Sequence, residues 1–93
     1  MTRQEIEKEI RAIFLREFEV ENPEPDVNLR DAYGFDSIDA IELLMEIEKF
    51  LSTELTQAEK KKAMDIRTLN QIIDYVQMLA DHRQTPGGEK LND

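Results

Sequence analysis

The chain has 93 residues, no cysteine and a formal net charge of −9. That supports one small domain with a modest core and excludes disulfides, thiolate chemistry and a cysteine metal site. The acidic balance argues against nucleic acid, whose phosphates recruit Lys and Arg. No apolar run exceeds four residues, Ala12 to Leu15, so neither a membrane span nor a secretory signal is expected and a cytoplasmic monomer is the default.

The charge is uneven. Residues 1–55 hold fifteen acids and six bases, and residues 56–93 hold six of each. An acidic half of this kind steers basic partners toward itself, or simply keeps a small protein soluble.

Thr2-Arg3-Gln4-Glu5 has the form of a capping box and predicts a helix from near residue 3. Ile6, Ile10, Ile13, Phe14 and Phe18 then follow one helical stripe, with Glu7, Glu9, Arg11 and Glu17 off it. An acid-rich polar face suits a core-facing helix better than a membrane-surface one, which needs Lys and Arg. Pro23 and Pro25 make residues 21–35 a loop, long for a compact domain, with Val27, Leu29 and Tyr33 spaced to pin it to the core. Asp26, Asn28 and Asp31 suggest a calcium loop, but Asp31 stands where a glycine is needed and Ser37 where a bidentate Glu is needed.

The helix predicted over about 37–51 carries the most information. Gly34 provides the backbone freedom for a turn into it, and either Asp36 or Ser37 is suited to cap it. Asp36 and Asp39 suit the positive end of its dipole. A serine there is exposed and held in a fixed direction. Asp39, Glu42, Glu46 and Lys49 form a narrow polar arc, and apolar residues fill most of the remaining circumference. That exceeds the stripe a surface helix requires. Either the helix is central and covered on several sides, with the whole face in the core, or part of the face is offered to partners. Ile38, Ile41 and Met45 lie nearest the arc and are the candidates for exposed apolar contacts among Asp36, Asp39, Glu42 and Glu48.

Thr56-Gln57-Ala58-Glu59 is a second capping box, opening a short helix to about Ala63. Lys60, Lys61 and Lys62 in it read as a solvated face rather than a phosphate site. Thr68-Leu69-Asn70-Gln71 is a third box. The last helix, over about 66–81, buries Ile66, Leu69, Ile72, Ile73, Val76 and Leu79. Residues 84–93 are polar and rich in helix breakers, and are expected to form a mobile tail after a domain spanning 1–83. The whole predicts an all-α fold, a small four-helix bundle of three longer helices and one short one, with a long loop after the first.

The string Gly34-Phe35-Asp36-Ser37-Ile38-Asp39, followed by Ile41-Glu42-Leu43 and Met45, resembles the phosphopantetheine attachment site of acyl carrier proteins. The resemblance continues through Thr53-Glu54-Leu55, Ile66-Arg67-Thr68-Leu69 and Ile73-Asp74-Tyr75-Val76, roughly residues 3–80. It implies that Ser37 carries a covalent 4'-phosphopantetheine arm, whose thiol holds acyl groups as thioesters. It also implies that Asp36, Ile38, Asp39, Ile41, Glu42, Met45 and Glu48 form the face that meets partner enzymes. Those partners are a phosphopantetheinyl transferase and acyl synthases, transferases and other acyl-processing enzymes with basic docking patches.

Such a protein is a substrate and shuttle rather than an enzyme. A catalytic serine needs an adjacent base, and the lone His82 lies about 45 residues from Ser37. An attachment serine needs none, because the modifying enzyme brings its own. Between the central and short helices, Leu43, Ile47, Leu51, Leu55, Met64, Ile66 and Leu69 are expected to line an apolar cavity for the acyl chain. Each buried CH₂ there contributes about 0.8 kcal/mol.

The chain departs from the family pattern at several places. Phe35 replaces a small residue before Asp-Ser. Leu51 stands where the family has phenylalanine. About three residues are added before Ile66, in a region where lysines replace acids. These departures leave open a carrier of fatty acid synthesis, a dedicated carrier for a polyketide or other acyl pathway, and a plain acidic helical interaction module in which Ser37 is only a cap.

Overall fold

The computed structural model describes residues 1–84. The expectation of a mobile tail over 84–93 lies outside the described residues except at Gln84, which is the last residue of α5. The described chain folds as an all-α bundle in the order α1 (Arg3–Phe18), α2 (Leu29–Tyr33), α3 (Ser37–Leu51), α4 (Gln57–Ala63) and α5 (Leu69–Gln84).

α1 starts at the expected capping box. Glu5 N–H donates to Thr2 Oγ1 at 3.1 Å, and Thr2 N–H donates to the Glu5 carboxylate at 2.7 Å. Its stripe of Ile6, Ile10, Ile13 and Phe14 is buried. α4 opens on the equivalent pair, Thr56 and Glu59. α5 begins at Leu69, later than residue 66. The reason is local: Gln71 N–H donates to Thr68 Oγ1 at 3.2 Å, and Gln71 Oε1 accepts from Thr68 N–H at 3.1 Å, so Thr68 is the cap. Ile66 falls in the turn before it.

The predicted loop contains a helix that the sequence reading did not include. α2 is only five residues long, too short for a 3.6-residue period to show. Its ends are set by single residues. Asn28 accepts the Asp31 N–H at 3.0 Å. Gly34 (φ 69°) closes the helix by donating to the Arg30 and Leu29 carbonyls. The rest of the segment is anchored at several points. Pro23 is buried and its carbonyl accepts from Arg11 Nη1 at 3.1 Å. Tyr33 Oη accepts the Glu24 N–H at 2.8 Å. Leu29 N–H donates to the Arg67 carbonyl at 2.9 Å, and Asn70 N–H to the Pro25 carbonyl at 3.0 Å. These bonds lash the long connection to the start of α5.

α1 packs against α5 and α3. Ile6, Ile10 and Phe14 meet Leu43 and Ile47 of α3 and Leu69, Ile72, Ile73, Val76 and Leu79 of α5 in one buried cluster. Full burial of each such side chain contributes about 1.5–3 kcal/mol against the entropy of ordering.

The end of α5 is tied to α4 by charge. Arg83 donates from Nη1 and Nη2 to the two Glu59 carboxylate oxygens at 2.9 and 2.8 Å, from Nε to Thr53 Oγ1 at 3.1 Å, and from Nη2 to the Glu54 carbonyl at 3.2 Å. Arg83 holds the Glu59 carboxyl down at about 2. A folded-state value below that of the free side chain means the stabilisation is complete above about pH 4.5 and lost as pH falls toward 2. Arg83→Ala is expected to cost about 2 kcal/mol at neutral pH. Urea titrations should show the gap between wild type and variant closing between pH 4.5 and 2. A gap unchanged over that range would show that the pair is not the source.

Candidate functional site at the start of α3

The turn before α3 is built by three consecutive residues with different tasks. Gly34 takes the left-handed conformation that ends α2. Phe35 turns inward, stacking on Phe14 at 5.4 Å between ring centroids and meeting Phe18 edge-on at 5.3 Å. Asp36 caps α3: its Oδ1 accepts the Asp39 N–H at 3.0 Å, and Asp39 Oδ2 accepts the Asp36 N–H at 3.2 Å.

That capping box decides between the two residues left open by the sequence. With Asp36 as the cap, Ser37 is the first helical residue. It is exposed, and its hydroxyl makes no hydrogen bond among the described residues. A side chain that is rigidly rooted but chemically unengaged is what covalent attachment of an arm requires.

Behind Ser37, Ile38 is 76% exposed, Ile41 61% and Met45 48%. These three large apolar residues follow helical spacing on one face of α3. Asp36 is exposed beside them, while Asp39, Glu42 and Glu48 are half-buried. Glu48 also has an internal task, accepting the Leu55 N–H at 2.8 Å to hold the turn into α4.

Glu46 is the member of the polar arc whose placement the sequence does not reveal. It is only 7% exposed, and it accepts from Arg16 Nη2 and from Lys49 Nζ, both at 3.1 Å. Lys49, then Arg16, hold its carboxyl below the ordinary range against the opposing effect of burial. Carboxylate oxygens of Glu17, Glu42 and Glu46 lie within 4.8 Å of one another, and the two cations compensate the buried member of that group.

Two spaces flank the start of α3. A void of about 40 Å³ is lined by Phe35, Ala40, Leu43, Leu44, Ile47, Ala63, Ile66, Ile72 and Tyr75. A wider groove of about 220 Å³ is lined by Glu17, Phe18, Glu19, Val20, Tyr33, Phe35 and Asp39. Of the seven residues expected to form an apolar cavity, Leu43, Ile47 and Ile66 line the void. Leu55 and Leu69 are buried but not in its lining, and Leu51 is half-buried. Met64 is 75% exposed: α4 ends at Ala63, and that residue reaches the void in its place. Phe35, Ala40, Leu44, Ile72 and Tyr75 complete the lining. Tyr75 donates its hydroxyl to the Glu59 carbonyl at 2.7 Å, and burial pushes its phenol up to about 12.

A family model described as a phosphopantetheine attachment site matches residues 8–76. The chain is also 33% identical over 78 residues to an acyl carrier protein of Rubrobacter xylanophilus, an alignment covering 82% of this chain and 93% of the relative. The chain belongs to the acyl carrier protein family. The 4'-phosphopantetheine arm that this family carries meets a fitting site here, because the exposed hydroxyl of Ser37 is free to be esterified without breaking a bond of the fold. Carriers of this family are not themselves catalysts. Among the described residues, no helix is long and apolar enough to cross a membrane. Neither Phe35 nor Arg16 was assigned a role from the sequence. The aromatic pair Phe14 and Phe18, one helical turn apart, was the local signal for the pocket that Phe35 fills.

Proposed function

We propose that this acyl carrier protein accepts 4'-phosphopantetheine on Ser37 and shuttles acyl intermediates between cytoplasmic enzymes of fatty acid or related lipid biosynthesis. The observation that carries the reading is the exposed, unbonded hydroxyl of Ser37, held at the first turn of α3 by the Asp36–Asp39 capping box. The arm supplies a thiol that bears acyl groups as thioesters. The chain's own residues root the arm, present it and offer a handle to other proteins. Incubation with a phosphopantetheinyl transferase and coenzyme A tests the reading by mass. The expected result is one added arm, recovered on the tryptic peptide 31–49 that contains Ser37. No added mass would leave the acidic interaction module instead.

The handle is the face of Ile38, Ile41 and Met45 with Asp36, Asp39, Glu42 and Glu48 around it. A few apolar contacts give the docking energy, and the carboxylates steer basic partners. Ile41→Asp is expected to lower kcat/KM of the transferase by about 10–100-fold, equivalent to a lost contact of roughly 2 kcal/mol. Because Ile41 is exposed, the unfolding free energy should change by no more than about 0.5–1 kcal/mol. An unchanged kcat/KM would remove Ile41 from the docking face.

A dedicated carrier for a polyketide or other specialised acyl pathway is the second reading. Lys60, Lys61 and Lys62 on α4 favour it, and so does Phe35 packed directly before the attachment turn. A partner that reads α4 would encounter cations there, beside an otherwise acidic first half.

A further inference from the structure

We infer that this chain pairs weakly with a second copy of itself, the cationic end of α4 on each copy meeting the acidic face of α3 on the other. The pairing goes beyond the carrier reading and does not depend on the arm.

The cationic end is concentrated in one short stretch. Lys60, Lys61, Lys62 and Arg67 fall within residues 60–67, where Asp65 is the one acid. Lys61, Lys62 and Arg67 are exposed and Lys60 is half-buried. Glu59, next in the chain, is occupied by Arg83. Among the described residues none of these four cations has an ion pair. The Arg67 guanidinium donates instead to the carbonyls of Met64 and Ile66, at 2.8 and 3.0 Å. Met64 lies among them, 75% exposed.

The face of α3 is the counterpart. The carboxylates of Asp36, Asp39 and Glu42 also lack an ion pair among the described residues, and they surround the exposed Ile38, Ile41 and Met45. Each face is thus an apolar centre within uncompensated charge, and the two charges are opposite. Burial of the centres supplies attraction, and the charges fix the register.

The fold sets these faces side by side. Ala63 and Ile66, on either side of Met64 in the chain, line the same void as Phe35 and Ala40 at the start of α3. With the faces adjacent, one twofold axis makes both contacts at once, so the pair closes instead of propagating. A second copy therefore supplies both complementary surfaces. An anionic membrane supplies one, and the acidic remainder of the chain repels it.

Net charge limits the strength. Two chains of −9 repel each other. That repulsion acts in full at about 0.01 M salt, where the Debye length is about 30 Å. At about 0.15 M it is about 8 Å, and only charges near the contact count; at about 1 M it is about 3 Å, and these weaken too. Pairing is expected to be strongest at the middle salt, with a dissociation constant on the order of 10⁻⁴ M, as suits a small transient contact.

Sedimentation equilibrium of the full chain tests this, with a single copy expected at about 10 µM and a rise toward twice the mass by about 1 mM. A carbodiimide, which joins a lysine amine directly to a carboxylate, is applied to a mixture of isotopically light and heavy chains. Light-to-heavy links are expected from Lys61 or Lys62 to Asp36, Asp39 or Glu42. Lys61→Glu with Lys62→Glu should weaken pairing by about tenfold or more. Lys8→Glu with Arg30→Glu makes the same change in net charge at other exposed positions and should weaken it distinctly less. Circular dichroism verifies that both variants fold. Light-to-heavy links confined to other residues, or an equal effect of the two variants, would overturn the inference. So would a chain that stays single at the highest concentration. The cationic face would then belong to an acidic protein or, if the chain sediments with phosphatidylglycerol vesicles, to a membrane.

Discussion

Ser37→Ala is expected to take up no phosphopantetheine at all, yet to unfold at the same temperature as wild type. The two halves of that result come from one geometric fact. Asp36, one residue earlier, accepts the Asp39 N–H and so performs the capping task, which leaves the Ser37 hydroxyl without a structural bond. Removing an exposed hydroxyl changes stability by no more than about 0.5 kcal/mol, and alanine is a slightly better helix former than serine. The same removal deletes the only atom of residue 37 able to form the phosphodiester. Mass spectrometry after treatment with transferase and coenzyme A reads the first half, and thermal unfolding reads the second. Were the variant still modified, the arm would belong elsewhere on the chain. Were it clearly less stable, the hydroxyl would have a role in the fold.

Phe14→Ala carries the largest expected loss of stability. Phe14 is fully buried, stacks on Phe35 and meets Phe18 edge-on. Truncation of a buried phenylalanine costs about 3–5 kcal/mol, through lost transfer energy and the cavity left behind. Small domains have only about 5–15 kcal/mol in total, so the variant should be partly unfolded near physiological temperature. For a domain of this size the midpoint is expected to fall by roughly 12–40 °C. Phe14→Leu retains more of the side-chain volume and should fall distinctly less. Circular dichroism melts of the three proteins check the order. A shift of only a few degrees for Phe14→Ala would mean that the aromatic group is not central to the core. The expected damage extends to function, because Phe35 leans on Phe14 and the attachment turn follows Phe35 directly.

Much of the architecture was legible because its signals are local. The boxes at Thr2, Thr56 and Thr68 join residues three apart, and the stripe of Ile6, Ile10, Ile13 and Phe14 follows the period of one helix. The attachment turn is equally local, since Gly34, Asp36 and Ser37 act within a single stretch. The width of the apolar face on α3 fitted either a helix covered on several sides or one offered to partners. The resemblance pointed to the second, and packing leaves Ile38, Ile41 and Met45 exposed. α2 escaped because five residues carry no period, and its two ends depend on the single residues Asn28 and Gly34.

What the amino-acid sequence determined by itself was therefore the helical class, the starts of α1 and α3 and the candidate attachment serine. The tertiary structure decided everything that needed residues far apart in the chain. Arg16 reaches Glu46 across 30 positions and Arg83 reaches Glu59 across 24, so a buried acid and a bidentate clamp become visible only after folding. It also decided that Ala63 rather than Met64 lines the void. Periodicity specifies the face on which a side chain lies, but the neighbour that covers that face is fixed only when the helices pack.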